Sequence, residues 1–130
     1  MFSIIIPTFN NLNYVKILLS SLKKNSAQDH EIIFHVNEGS DGTLDYLNKN
    51  NLKYTFSKSN VGLCTATNLA ASKSSSKYIL YSHDDMYFCP GWDTVLENEI
   101  IGIGIELGRL LGRKEYSAGF NSMSNPSQRK

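Results

Sequence analysis

The chain has 130 residues, 41% hydrophobic and 19% charged, which suits one globular domain with a real core and excludes a disordered segment or a two-domain protein. Its formal net charge of +1 gives no field that would draw nucleic acid or an anionic membrane, so any affinity for anions must be built locally. The two cysteines, Cys64 and Cys89, have neither metal-binding nor redox spacing and are read as reduced thiols of a cytoplasmic protein.

The N-terminal stretch MFSIIIPTFNN has no basic leader, and its apolar run breaks at Pro7, so no export signal is expected. Phe2 to Ile6 is a continuous run rich in β-branched residues and closed by proline, the pattern of a strand buried on both faces. Leu12, Val15, Leu19 and Leu22 then recur at three- and four-residue spacing, which predicts an amphipathic helix capped by Asn10 or Asn11 and closed by lysines. Glu31 to Val36 is a second apolar strand, and Asp41 or Thr43 can cap a short helix carrying Leu44 and Leu47. Lys53 to Ser57 reads as a weaker strand near a sheet edge. The stretch NVGLCTATNLAASKS reads as a helix whose Ala66, Ala70 and Ala71 permit close packing on a sheet. Tyr78 to Ser82 is the fourth strand, read as buried.

This alternation of strands and helices predicts right-handed crossovers and a mostly parallel sheet with helices on both faces. Further on, Ile100 to Leu111 is apolar but interrupted by three glycines, Glu106 and Arg109, and no stretch reaches the roughly 20 apolar residues of a transmembrane segment. Gly102, Gly104 and Gly108 imitate a dinucleotide-binding turn, yet too few residues follow them to complete a βαβ unit. The last stretch, SAGFNSMSNPSQRK, reads as a loose tail.

In open α/β sheets, ligands bind beyond the carboxyl ends of the strands. Here those ends lead into Pro7-Thr8-Phe9-Asn10, Asn37-Glu38-Gly39-Ser40-Asp41, Ser57-Lys58-Ser59-Asn60 and Ser82-His83-Asp84-Asp85. Four polar strand ends converging on one edge predict a binding cleft. Adjacent carboxylates repel unless a cation is present, and Mg²⁺ or Mn²⁺ often binds through one or two carboxylates plus substrate phosphates. Asp84 and Asp85 suit such a site; a solvated turn capping the next helix is the alternative.

Three blocks, SIIIPTFN, HVNEGSDGT and SNVGLCTATNLAASKSSSKYILYSHDDMYFCPGW, carry four motifs that together resemble the nucleotide-sugar-binding half of the family 2 glycosyltransferases, which have the GT-A fold. The resemblance covers residues 2 to about 95 and implies a truncated GT-A-like fold, with a nucleotide-sugar-binding α/β domain at 1–95 and a C-terminal helix and tail of the same domain at 96–130. It implies a nucleotide-binding set of Pro7, Thr8, Asn10, Asn37, Glu38, Gly39, Asn60, Gly62, Asn68 and Asp84, and Asp85 as the ligand to Mn²⁺ or Mg²⁺. Thr8 falls where the family contacts base or ribose, and Asn37 and Glu38 where it usually has two aspartates, one of them on the uracil ring. A UDP-sugar is the favoured donor, with GDP- or dTDP-sugars as alternatives.

The chain departs from the family pattern in places. EGSDGT is one residue shorter than the commonest form, Leu63 to Thr67 lacks the usual basic residue, and His83 stands where many relatives have another aspartate. His30 and His35 are read as structural, and Trp92 as a packing anchor. The family's general base lies beyond the metal motif, and the spacing of Glu97, Glu99, Glu106 and Glu115 singles none out. Two readings follow: a glycosyltransferase whose acceptor site comes from a second subunit or partner half, or a nucleotide-sugar-binding domain without transferase activity. A half-domain would leave apolar surface for a second copy or the partner half to cover. A metal-dependent nucleotidyltransferase would explain the acids but not the SIIIPTFN and NVG blocks.

Overall fold

Isoleucines at 4, 5 and 6 leave no polar face, and the strand that carries them lies inside the sheet with all three fully buried. The structure, a computed structural model, describes residues 1–110, with side chains through Ile103. Its strands are β1 (Phe2–Phe9), β2 (Glu31–Asn37), β3 (Lys53–Ser57) and β4 (Tyr78–Tyr81), and its helices are α1 (Leu12–Asn25), α2 (Thr43–Lys49), α3 (Leu63–Ala71) and α4 (Trp92–Leu110). All pairings are parallel, in the order β3-β2-β1-β4. The chain therefore builds outward from β1 to β3, then returns to place β4 on the opposite flank of β1.

Side chains alternate across the sheet. Ile5 and Ile33 share one face with Ala70, and Ala66 and Ala70 are small enough to let α3 lie close over β1 and β2. Ile4 and Ile32 face the other way and floor a cleft of about 720 Å³ walled by Leu19 and Leu22 of α1 and Tyr46 of α2. Helices thus cover both faces. Burying Val15, Leu18 and Leu22 of α1 contributes about 1.5–3 kcal/mol each.

Three local expectations are corrected. β1 does not stop at Pro7 but runs on to Phe9. Ile5 accepts from the Ser82 N–H on the β4 side, and Pro7, two residues on, presents its missing donor to the same side, where β4 has already ended. β4 is not buried: Ile79 is 52% and Tyr81 39% exposed, because β4 is an edge strand and α3 lies over β1, β2 and β3. Neither Asn10 nor Asn11 caps α1 with its side chain; the Leu12 N–H is accepted by Asp41 Oδ2 at 2.8 Å. Asp41 Oδ1 accepts from the Thr43 N–H at 3.1 Å and hydroxyl at 2.6 Å, so one carboxylate serves the N-termini of α1 and α2 together. Burial pushes this carboxyl up, but the Thr43 and Leu12 donors outweigh it and hold its pKa below the ordinary 3.8.

The chain divides into two compact units, Met1–Pro90 and the part from Gly91 onward. In the second, α4 takes in Gly102, Gly104 and Gly108, so these glycines are helical and form no phosphate-binding turn. Glu97 and Glu99 lie on α4; the side chain of Glu106, all of Glu115, Leu111 and the expected loose tail fall outside the described residues. Among the described residues no helix is long and apolar enough to cross a membrane.

The amino ends of the strands are tied by Glu31. Its carboxylate accepts from Lys53 Nζ at 2.5 Å, from the Ser3 hydroxyl, and from the Ser75 N–H and hydroxyl at 2.8 and 3.0 Å. Burial raises its pKa, yet Lys53, Ser3 and Ser75 prevail and bring it from 4.5 to about 2. A depressed carboxyl pKa gives stability that is fully present above the unfolded value and lost as pH falls through the folded one. We therefore expect stability to decline between pH 4.5 and about 2. Glu31→Gln should flatten that slope in acid titrations followed by circular dichroism, and should cost on the order of 2 kcal/mol at pH 7.

Candidate functional site

β1 extends beyond β4, and the open flank it leaves is occupied by the turn that carries Asp84. Thr8, 2% exposed, donates through Oγ1 to Asp84 Oδ2 at 2.8 Å. This contact lies between β1 and β4, where the strand order reverses, the crevice in which open α/β sheets take their ligands.

On the other flank of β1, Asn37 ends β2. Its Nδ2 donates to the Thr8 carbonyl at 3.4 Å, while its Oδ1 accepts from the Val61 N–H at 3.0 Å and the Ser57 hydroxyl at 3.2 Å. Asn37 is 4% exposed, and its Oδ1 is held inward by the Val61 N–H; the single Ser57 proton is shared between this oxygen and the Ser59 carbonyl, which lies nearer at 2.8 Å. Behind it, Ser57 Oγ also lies 3.1 Å from His35 Nε2, and His35 Nδ1 lies 2.8 Å from Thr55 Oγ1. Burial pushes the His35 imidazole below its ordinary pKa of 6.5, against a smaller upward pull from Asn37, and so favours the neutral ring. His35 is structural, as the sequence predicts.

The chain next turns sharply. Glu38 and Gly39 both have positive φ, +62° and +68°; the Glu38 N–H bonds the Ser57 carbonyl, and the Gly39 N–H bonds the Asn37 carbonyl. This turns the Glu38 side chain outward, where Asn10 Nδ2 lies 3.4 Å from its Oε2 and 3.1 Å from Ser40 Oγ. Asn10, itself at φ +47°, keeps a buried Oδ1 with no partner. Buried acceptors rarely stay unmatched, and this one can take an N–H or O–H.

Asn60 closes its own loop by accepting the Gly62 N–H at 2.9 Å, and Gly62, at φ +82°, opens α3. Pro7 lies in the ladder opposite His35. Asn68 points to solvent from α3, outside this hydrogen-bonded set. Asp85 sits exposed in the turn after β4, next to Asp84. His83 packs edge-on against the Tyr81 ring at 5.2 Å between centroids. The structure thus joins Thr8, Asn10, Asn37, Glu38 and Asp84 in one connected arrangement, with Ser40 and Ser57 as members that the site list from sequence lacks. Their signal was only their position at strand ends.

Among the described residues no group of three or more His, Cys, Asp or Glu side chains could hold a metal by itself. The donor set is two adjacent carboxylates, one tied to Thr8 and one open to solvent. It does not fit a resident ion in an all-protein cage; it fits a hard divalent ion that arrives with phosphate oxygens.

The family model for glycosyl transferase family 2 matches residues 3–105. The chain belongs to that family. An uncharacterized glycosyltransferase of Rickettsia bellii is 34% identical over 92 residues, which are 66% of this chain and 13% of that protein. The structure of S. aureus TarS 1-349 in complex with UDP is similar at a TM-score of 0.64 and 26% identity, over 77% of this chain and 31% of that one. The mannosyltransferase PcManGT of Pyrobaculum calidifontis, in complex with GDP-Man and Mn²⁺, shares the fold at a TM-score of 0.60 and 18% identity, over 72% of this chain and 30% of that one. This family 2 chain therefore spans about an eighth of the curated relative and under a third of these solved structures, and its four-stranded parallel sheet has the GT-A architecture.

The Glu38–Gly39 turn admits a direct check. A Cβ on Gly39 would stand 2.8 Å from both Leu44 Cγ and Val36 Cγ1, at a φ that L residues rarely adopt. We expect Gly39→Ala to lower stability by about 2–4 kcal/mol in denaturant titrations, from left-handed backbone and overpacking together. Gly91→Ala, at φ +76° with open space around the added carbon, should show only the backbone part.

Proposed function

We propose that this family 2 chain binds the nucleotide-diphosphate part of a sugar donor at the carboxyl ends of β1, β2 and β4, with Mn²⁺ or Mg²⁺, for transfer of the sugar to an acceptor. The observation that carries this reading is the Thr8–Asp84 hydrogen bond at the strand-order reversal. It fixes one carboxylate beside β1 and leaves the neighbouring one open.

In this reading Asp84 keeps Oδ1 for a ribose hydroxyl while Oδ2 is held by Thr8. Glu38 takes the base contact rather than Asn37, because Glu38 faces outward while Asn37 is buried with its oxygen turned to the Val61 N–H. Asn10 holds Glu38 in place through its amide nitrogen. Pro7 and Gly39 shape the backbone beneath the base, Asn60 and Gly62 order the loop beside it, and Asn68 lines the outer wall. Asp85 is the metal ligand. A divalent ion bound there with the diphosphate supplies the positive charge that stabilises a leaving nucleoside diphosphate.

UDP is the favoured nucleotide, supported by the UDP complex of TarS; the GDP-Man and Mn²⁺ complex of PcManGT keeps GDP as the comparison. The acceptor site and the general base lie outside the described site, in a partner half or a second chain. The exposed, unbridged Cys64 and Cys89 support a cytoplasmic location. A nucleotide-sugar-binding domain without transferase activity is the second reading; among the described residues no third acid joins Asp84 and Asp85 in a cluster.

Calorimetric titration of UDP and GDP, with and without Mn²⁺, tests the donor site. We expect Mn²⁺ to tighten UDP binding about tenfold or more, roughly 1.4 kcal/mol, and Asp85→Ala to abolish that gain. Absence of binding by either nucleotide with Mn²⁺ present would sink the proposal. Sugar transfer or slow donor hydrolysis by the wild-type chain would separate the two readings.

A further inference from the structure

The buried face of α1 is apolar at Val15, Leu18 and Leu22, as an amphipathic helix requires, but it also buries Ser21 and Asn25, at 1% and 8% exposure. Polar side chains at buried helix positions cost free energy unless matched, and an apolar residue would suit the helix better. Both side chains reach the backbone of one residue, Phe88. Ser21 Oγ accepts the Phe88 N–H at 3.0 Å while donating to the Leu18 carbonyl at 2.7 Å, and Asn25 Nδ2 donates to the Phe88 carbonyl at 2.7 Å. Asn25 Nδ2 also lies 3.4 Å from the Tyr87 hydroxyl. Two side chains four residues apart thus take both backbone groups of Phe88, as a neighbouring strand would.

Phe88 is the downstream end of the stretch that carries the acid pair. Upstream, the Ser82 N–H is bonded to the Ile5 carbonyl of β1. Between these two anchors the Asp84 side chain reaches Thr8, while Asp85, Met86 and Tyr87 are exposed. The stretch has no strand beside it beyond Tyr81. Asp85 therefore owes its place to Thr8 on one side and to the α1 clamp on the other.

We propose that Ser21 and Asn25 are positioning residues for Asp85: they set where its carboxylate meets the metal and the donor diphosphate, without touching either. This rests on the donor-site reading given above. Its distinctive consequence is selective. Loosening the clamp should impair the metal-dependent part of nucleotide affinity, which depends on Asp85, more than the metal-free part, which depends on the β1 and β2 ends and on Asp84, itself held to β1 by Thr8.

The test compares the 130-residue wild-type chain with Ser21→Ala, Ser21→Ala/Asn25→Leu and, as a control on the exposed side of the same helix, Ser20→Ala. For each variant, UDP affinity is measured by calorimetry with and without Mn²⁺, well below its thermal midpoint, and amide hydrogen exchange is read at Phe88 and across 83–87. We expect the Mn²⁺ gain to fall at least about fivefold in the double variant and by less in Ser21→Ala, with metal-free affinity unchanged within about twofold. Exchange should quicken across 83–88 and stay unaltered in β1 and β2, and Ser20→Ala should match wild type. An undiminished Mn²⁺ gain in folded Ser21→Ala and in the double variant would overturn the proposal alone, as would equal losses of both affinities. If the double variant does not fold, Ser21→Ala decides. Wild-type protein with no Mn²⁺ gain would overturn the donor-site reading and this proposal with it.

Discussion

The site depends on a mismatch of strand lengths. β4 ends at Tyr81, opposite Ile5, while β1 continues for four more residues paired only to β2. The places of Pro7, Thr8 and Asp84 follow from that open flank. Pro7 is tolerated inside an interior strand because its missing N–H faces a side with no acceptor to satisfy. Thr8, beside this unpaired flank, donates its hydroxyl to Asp84. A β4 two residues longer would pair that stretch of β1 and leave the paired acids no place beside it.

The two ends of the sheet divide the work of stability and binding. At the amino ends, Glu31 gathers Lys53, Ser3 and Ser75 into one hydrogen-bonded cluster around a carboxylate that is itself 9% exposed. At the carboxyl ends, positive φ at the non-glycine residues Asn10 and Glu38, an unmatched Asn10 Oδ1 and two adjacent carboxylates carry local cost. Such cost persists where the surrounding structure enforces it. Asp41 is part of that enforcement, because by holding the first amides of α1 and α2 it ties the Asn10 loop to the Glu38 loop.

Much of this was legible in the residues. The four strands and the helices between them follow from continuous β-branched runs alternating with three- and four-residue periodicity, and β3 was placed near an edge by its weak apolar content. The polar strand ends and the acid pair were equally plain, since a sheet of this kind aims them at one rim. What was not legible depended on long-range partners. The cap of α1 comes from Asp41, 29 residues away, so local capping preference pointed to the wrong side chains. The exposure of β4 reflects where α3 lies, which no property of YILYS encodes. Nothing in the Asn37–Glu38 pair says that the amide is buried against the Val61 N–H while the acid faces out. Ser21 and Asn25 looked like ordinary polar interruptions of a helix until Phe88 appeared above them.

The most direct test of this account is the paramagnetic broadening of backbone amide signals by Mn²⁺ added together with UDP, residue by residue. The account expects broadening at Thr8 to Asn11, Glu38 to Ser40 and His83 to Met86, with His30, Lys53 and Ser75 at the opposite rim unaffected. Broadening confined to the opposite rim, or spread evenly over exposed carboxylates with no dependence on UDP, would contradict it.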